Sequence, residues 1–281
     1  MTAIRRLWEN GSGLIRELAA IPREAALLRP SPPEGGLVLE VGGGQRPHPR
    51  SDVVVDKYVA DDFERAGGAA IDLSRPLVVA DGHALPFADA SMSYVIASHV
   101  LEHATDPVRF AGELSRVAPA GYVELPSRQA ELTFEWPFHP WLVDRRGDTL
   151  LFSPKDDHAP CGRMFHDSFE QSALFRLWWA SHRSRWLHGV HWQDRLTVEM
   201  GGEARAEQTA SFDLERTAAA LRELGGRGAL LAPDERVRTA LRCPICRGTL
   251  GSEGSRLACE SCARTYPVEG GVPVLVAEAA A

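Results

Sequence analysis

The sequence predicts an α/β chain: a mostly parallel sheet with helices on both faces, followed by a small C-terminal unit of a different kind. Three observations carry this. Five short apolar runs recur between residues 37 and 126, separated by turns or helical stretches. Polar residues collect where those runs end. Four of the five cysteines lie in the last 40 residues as two C-x-x-C pairs.

Residues 1–30 read as helical, with Leu14, Ile15, Leu18, Ile21, Ala25 and Leu28 at helical spacing and Pro22 as a break or a fresh first-turn position. PSPPEGG, residues 30–36, stops that segment. The strands follow: LVLEV (37–41) running into Gly42-Gly43-Gly44, VVVD (53–56), LVVAD (77–81), SYVIASH (93–99) and GYVELP (121–126). Continuous rather than alternating apolar character marks strands covered on both faces. Only Gly42 to Asp52 separates the first two strands, and Pro47 and Pro49 lie within it, so an irregular crossover is expected in place of a helix. Asp106-Pro107 is an N-cap and first-turn pair for a helix that buries Phe110, Leu114 and Val117.

Residues 127–166 are dense in aromatic residues and proline, among them Phe134, Trp136, Phe138, His139, Trp141, Phe152, His158 and Phe165, and read as an insertion over the sheet rather than core. A helix is expected from Ser168, with a capping box to Gln171 and Leu174, Leu177 and Trp178 inward. Two late strands fall in 185–200, a helix in 212–224 ends at Gly225-Gly226, and 226–241 reads as a linker. The expected division is 1–232 for the α/β domain and 238–277 for the cysteine-bearing unit.

Composition narrows the class. With 281 residues, 44% apolar and 25% charged, the chain is neither disordered nor fibrous. A net charge of −7 is a poor basis for wrapping nucleic acid, which is read as an improbable partner. No apolar run approaches a bilayer span and no signal-peptide pattern follows Arg5-Arg6, so no membrane association is expected. The clustered cysteines point to a reducing, cytoplasmic setting.

Ligands of open α/β sheets bind beyond the carboxyl ends of the strands. Here those ends carry Glu40 with Gly42 and Gly44, then Asp56, then Asp81-Gly82-His83, then Ser98-His99. Asp56 suits both hydroxyls of a ribose, and Asp81 with its neighbours an adenine. The loop lacks the third glycine and the helix N-terminus of a pyrophosphate site, so adenosine without phosphates fits better. The segments LVLEVGGGQRPHPRSDVVVDKY, VVADGHALPFADASMSYVIASHVLEHATDPVRFAGELSRV and GYVELPS together resemble class I S-adenosylmethionine-dependent methyltransferases, over about residues 36–127. The resemblance implies a Rossmann-like fold. It implies that Glu40, Gly42 and Gly44 cradle the methionine end of S-adenosyl-L-methionine, that Asp56 binds the ribose, and that Asp81, Gly82 and His83 frame the adenine. Ser98 and His99 would line the mouth between cofactor and acceptor.

Methyl transfer from a sulfonium needs alignment and exclusion of water, and a base when the acceptor is a hydroxyl. The candidates for that role are His99, which directly follows the fourth strand, Glu124 in the fifth, alternatively paired with Arg128, and His139 in FEWPFHPW. His103 is weighed as a cap or packing residue near Asp106. Trp136 and Trp141 are weighed both as an acceptor wall and as a satellite core.

Cys243, Cys246, Cys259 and Cys262 form two C-x-x-C knuckles 12 residues apart, a strong signal for one structural, tetrahedral Zn2+. The stretch from 240 to 276 is similar to the zinc-ribbon activator of tRNA, ribosomal-RNA and release-factor methyltransferases. That resemblance implies docking on a methyltransferase, here within one chain, with VPVLV (272–276) at a sheet edge or on an apolar face. Cys161 is read as unrelated.

The leading expectation is N- or O-methylation of a small-molecule acceptor, a secondary metabolite as in antibiotic biosynthesis, or a sugar. The alternatives are methylation of tRNA, rRNA or protein, which a basic stripe of Arg176, Arg183, Arg185 and Arg195 would serve, and a non-catalytic adaptor. A homodimer is left open.

Overall fold

The computed structural model describes residues 2–44, 46–60, 71–155, 162–202, 212–226 and 231–280. The chain opens with α1 (Thr2–Leu27), then β1 (Val38–Val41), β2 (Val53–Asp56), β3 (Leu77–Ala80), β4 (Tyr94–Ser98), α2 (Pro107–Val117) and β5 (Ala120–Pro126). The aromatic-rich stretch follows with α3 (Arg128–Phe134), β6 (Trp141–Arg146), β7 (Thr149–Pro154), α4 (Gly162–Gln171), α5 (Ala173–Ser181) and α6 (Arg183–Trp186). Next come β8 (Leu187–Gln193), β9 (Thr197–Met200), α7 (Leu214–Gly226) and α8 (Glu235–Ala240). The C-terminal unit is a run of strands, β10 (Leu250–Glu253), β11 (Arg256–Cys259), β12 (Thr265–Glu269) and β13 (Val272–Leu275).

The central sheet has the order β10-β11-β12-β13-β3-β2-β1-β4-β5-β8. From β3 to β5 every pairing is parallel, and strand order reverses between β1 and β4. That reversal opens a crevice at the carboxyl ends of the strands, where Rossmann-like sheets hold their ligands. The strands are buried on both faces, as their continuous apolar character requires. Leu39, Val41, Val53, Val55 and Val78 join one core with Phe110 and Leu114 of α2. Val54, Leu77 and Val79 join a second with Leu221 of α7.

Among the described residues no helix bridges β1 and β2; Glu40 holds the short crossover instead. Its carboxylate, 4% exposed, accepts from His48 N at 2.6 Å and Ser51 Oγ at 2.6 Å. Burial pushes its pKa up despite those bonds.

The C-terminal unit is continuous with this sheet. β13 pairs in parallel with β3, Val274 opposite Val79 and Leu275 opposite Ala80. Of the two placements open to VPVLV, the edge of the sheet is the one observed. Val272, Val274, Leu275 and Val276 are fully buried there. β10 to β13 form an antiparallel ribbon with the two cysteine knuckles at one end.

Several expectations are corrected. Part of the aromatic stretch is core rather than overlay: Trp141 and Phe152 are at most 1% exposed and belong to the main core. β6, β7 and β9 form a three-stranded sheet that covers it. Trp141 is therefore no acceptor wall; its Nε1 donates to Ala104 O at 2.7 Å. Ser168 starts no helix but lies within α4, donating to Met164 O four residues back. The N-cap is Ser172, which receives Phe175 N. That register turns Leu174 outward, 71% exposed, and Trp178 partly outward, while Phe175 and Trp179 meet Phe169. The segment read as a linker contains α8, whose Val237 and Ala240 enter the main core. Cys161 and His158 lie outside the described residues.

α1 is helical throughout, yet Leu14, Ile15 and Leu18 are 45 to 67% exposed. Two polar contacts tie it to the rest of the chain: Glu24 accepts from Ser184 N at 2.6 Å, and Glu17 from Ser181 Oγ. No helix among the described residues is long and apolar enough to cross a membrane.

Candidate active site

A cavity of about 1100 Å³ opens at the carboxyl ends of β1, β2, β3 and β4. Its size suits a nucleoside-sized ligand with a second small molecule beside it.

The floor is the glycine turn after β1. Gly42 has φ of 75°, and a Cβ on it would stand 2.8 Å from Val100. Gly42 N donates to Val55 O at 2.8 Å and ties the turn to β2. A Cβ on Gly43 would collide with Glu40 at 2.5 Å, and one on Gly44 with Asp56 Oδ2 at 2.5 Å. The turn is bare because Val100 and the two acids Glu40 and Asp56 are packed against it. Gly43 was not singled out from the sequence, and it is as constrained as the other two.

Asp56 ends β2 at the cavity wall, with Oδ1 accepting from Tyr58 N at 2.9 Å. Asp81 follows β3 and caps the turn Gly82–Ala84. Its Oδ1 accepts from His83 N at 2.8 Å and faces His83 Nδ1 at 2.7 Å. His83 Nε2 in turn accepts from Asp106 N at 3.3 Å. Lys57 Nζ lies 2.7 Å from Asp81 Oδ2 and 3.2 Å from Glu278 Oε1. Burial opposes the Asp81 charge, but the bonds from His83 and Lys57 outweigh it and hold the carboxyl well below its usual range. Gly82 lies flat on Phe110, where a Cβ would come within 2.1 Å of the ring. Lys57 and Glu278 were not foreseen. Lys57 directly follows the ribose candidate, but Glu278 sits in an Ala-rich tail with no signal of its own.

The far wall belongs to the aromatic stretch. Trp136, Phe138 and His139 line the same cavity as the glycine turn, with His99, Glu102 and His103 from the end of β4. Ser98 lines it at the end of β4. His99 adopts a left-handed backbone, φ 55°, and its N donates to Glu124 O at 2.7 Å. That conformation is uncommon for a residue with a side chain and is typical of functional sites. His99 Nδ1 lies 3.4 Å from Glu102 Oε1, and Nε2 lies 3.3 Å from Glu124 Oε1. The ring is about half exposed, and the two carboxylates beside it lift its pKa to about 10.

Both ring nitrogens of His99 thus face carboxylates, an arrangement that favours the charged ring over a free base. Glu124 does not line the cavity. It is 5% exposed behind His99, accepting from Tyr122 Oη at 2.7 Å and Arg183 Nη2 at 2.8 Å. Its cation is Arg183, while Arg128 pairs with Asp144. His139 does line the cavity, with Nδ1 2.7 Å from Glu131 Oε2. Burial pushes the His103 imidazole down to about 4.

Two arginines of the basic stripe are spent on internal bonds. Besides Arg183, Arg176 donates to the carbonyls of Phe169 and Glu170 at 2.8 and 2.7 Å.

In the ribbon the four sulfurs of Cys243, Cys246, Cys259 and Cys262 lie within 4.8 Å of one another. The knuckles have matching turns: Arg247 N donates to Cys243 O at 2.8 Å, and Ala263 N to Cys259 O at 2.9 Å. Arg247 and Ala263 both take left-handed φ, near 60°. Four thiols at these distances match the donor set that a tetrahedral zinc requires.

Residues 55–124 match the methyltransferase domain model, and residues 236–271 match that of Trm112p-like proteins. An uncharacterized methyltransferase of Mycobacterium sp. (strain KMS) is 36% identical over 93 residues, 32% of this chain and 37% of that protein. One of Mycobacterium tuberculosis (strain ATCC 25618 / H37Rv) is 37% identical over 102 residues, 34% of this chain and 40% of that protein. The chain thus spans well under half the length of these curated relatives.

Among solved structures, the complex of the Haloferax volcanii Trm112 methyltransferase activator with a methyltransferase covers 65% of this chain and 94% of that chain, at 16% identity and a TM-score of 0.35. A SAM-dependent methyltransferase of Thermotoga maritima, described as a possible histamine N-methyltransferase, covers 61% of this chain and 69% of its own, at 14% identity and a TM-score of 0.28. The chain carries a methyltransferase domain joined to a C-terminal Trm112p-like domain.

Proposed function

We propose that the chain transfers a methyl group from S-adenosyl-L-methionine to an amine or hydroxyl of a small molecule. The observation that carries this reading is one cavity. It joins the glycine turn, Asp56 and Asp81 on one side to Trp136, Phe138 and His139 on the other.

The residues fit the cofactor. Asp56 would accept both ribose hydroxyls, a contact that charge assistance makes about twice as strong as a neutral one. Asp81, Gly82 and His83 would frame the adenine against Phe110. The bare turn Gly42–Gly44 would let backbone approach the methionine end, with Glu40 holding the turn rather than meeting the ligand. When bound, the cofactor supplies an electrophilic methyl on a sulfonium. Ser98 and His99 would then stand beside the reacting centre. The rings of Trp136 and Phe138 would orient the acceptor and exclude water. His139 is the candidate left to receive an acceptor proton.

A small acceptor is favoured because aromatic residues close the far wall and the arginines of the expected basic stripe are partly spent on internal bonds. The ribbon would hold one structural Zn2+ on Cys243, Cys246, Cys259 and Cys262. Residues 1–232 and 238–277 would then be two folding units fused through β13.

Calorimetric titration with S-adenosylhomocysteine tests this reading. One-to-one binding that is lost in Asp56→Ala supports it. A folded chain that takes up no nucleoside refutes it, and leaves the adaptor.

A further inference from the structure

We propose that Glu102, His103 and His139 form a second metal site, separate from the ribbon, that takes a first-row divalent cation such as Zn2+, Fe2+, Mn2+ or Co2+. Glu102 and His103 are neighbours in the turn Leu101–His103 just after β4, and His139 arrives from the loop between α3 and β6. The fold brings one donor atom from each within 4.8 Å of the others. Two imidazoles and one carboxylate are the ligand set of catalytic zinc and of non-haem iron.

Two further observations point to a cation. Glu102 is 1% exposed, and neither of its oxygens accepts a hydrogen bond. A buried carboxylate without hydrogen bonds is costly. Its neighbour His99 stands at 3.4 Å from Oε1, a contact of charges rather than a hydrogen bond. A metal ion on Glu102 would satisfy it.

The second observation is the support behind His139. Its Nδ1 faces Glu131 Oε2 at 2.7 Å, and Glu131 is itself 1% exposed and paired with Lys155. A ring that donates from Nδ1 to a buried carboxylate has its lone pair on Nε2, turned away from that carboxylate. This carboxylate–histidine pairing is the support that metal-binding imidazoles commonly have.

All three residues line the cavity, so the remaining coordination positions face it and remain open. An oxygen donor of a second ligand could complete the shell there. On the methyl-transfer reading, that ligand would be an acceptor bearing a hydroxyl or carboxylate, and with Nε2 of His139 on the metal the cation, rather than His139, would favour loss of the acceptor proton. The metal site itself does not depend on that reading.

The test uses the full chain with its ribbon loaded with zinc, titrated with cobalt(II). Cobalt bound by thiolates gives an intense near-ultraviolet charge-transfer band, which distinguishes exchange into the ribbon. The expected result is about one further equivalent of cobalt with visible d–d absorption and no thiolate band, as an N/O ligand set requires. His139→Ala abolishes that uptake. Glu131→Gln weakens it about 10- to 100-fold, the usual effect of losing such a support. Glu102→Gln keeps the side-chain shape, removes the charge and weakens uptake by at least about tenfold; it decides the matter should His139→Ala fail to fold.

The proposal is overturned if the folded, zinc-loaded chain takes up no further cobalt at millimolar concentration. It is equally overturned if Glu102→Gln binds cobalt as tightly as the unaltered chain. S-adenosylhomocysteine binding by the same samples judges the methyl-transfer reading separately, since either result can stand without the other.

Discussion

Gly44→Ala isolates the contact between the glycine turn and the ribose candidate. The backbone of Gly44 is not left-handed, so alanine is conformationally allowed there. Its new Cβ would stand 2.5 Å from Asp56 Oδ2 and 3.3 Å from Ile71 Cγ1. The first distance is about 1 Å short of ordinary contact, so the carboxylate must turn away. A hydrogen bond to a charged group contributes about 1.5–3 kcal/mol. Displacing Asp56 from the ribose should therefore weaken S-adenosylhomocysteine binding about 10- to 150-fold.

Stability should change far less, because Asp56 faces the cavity rather than the core. Calorimetry gives the affinity and thermal melting the stability. Gly112→Ala is the control: it lies in α2 with nothing within 4 Å of the new Cβ, and should bind normally and gain up to about 1 kcal/mol. If Gly44→Ala binds the nucleoside as tightly as the unaltered chain, Asp56 is not where the ribose sits.

Other perturbations give distinct outcomes. Gly82→Ala drives a methyl into Phe110, which is 4% exposed, and should cost about 1–3 kcal/mol by overpacking as well as distort the adenine end; an unchanged melting temperature would contradict the packing described. Removing zinc from the zinc-loaded chain with a chelator should unfold the ribbon, since a structural zinc of this kind contributes about 10 kcal/mol or more, and expose the β13 side of β3; hydrogen exchange at Val79 should accelerate, and unchanged protection would show that β13 does not depend on the knuckles.

Asp81 has its pKa depressed by His83 and Lys57, so its stabilisation is present above its unfolded pKa near 3.8 and is lost as pH falls below it toward the folded value. The stability gap between the unaltered chain and Asp81→Asn should accordingly be widest at neutral pH and close in acid; a gap independent of pH would refute the pairing.

The sheet was legible because buried parallel strands leave unbroken apolar runs, and LVLEV, VVVD, LVVA and YVIAS each became one strand of the predicted kind. The acids at their ends were legible for the same reason: a strand end fixes where the next side chain must stand. The aromatic stretch was not, because Trp141 and Trp136 look alike in sequence. One is sealed beneath the small sheet and the other faces the cavity. Helix boundaries near Ser168 failed on a competing cap four residues later, Ser172. The carboxylate pairing of His99 was hidden as well. It depends on Glu124, which reaches the ring only through the pairing of β4 with β5. Glu278 meets Lys57 from 221 residues away, and no local pattern announces such a contact.

The central claim is that the strand ends form one cavity for an adenosyl group and its acceptor. A crystal structure with S-adenosylhomocysteine tests it most directly. The account predicts ribose hydroxyls on Asp56, adenine between His83 and Phe110, and sulfur turned toward Trp136 and His139. A nucleoside bound elsewhere, or with its sulfur facing away from those rings, would contradict it.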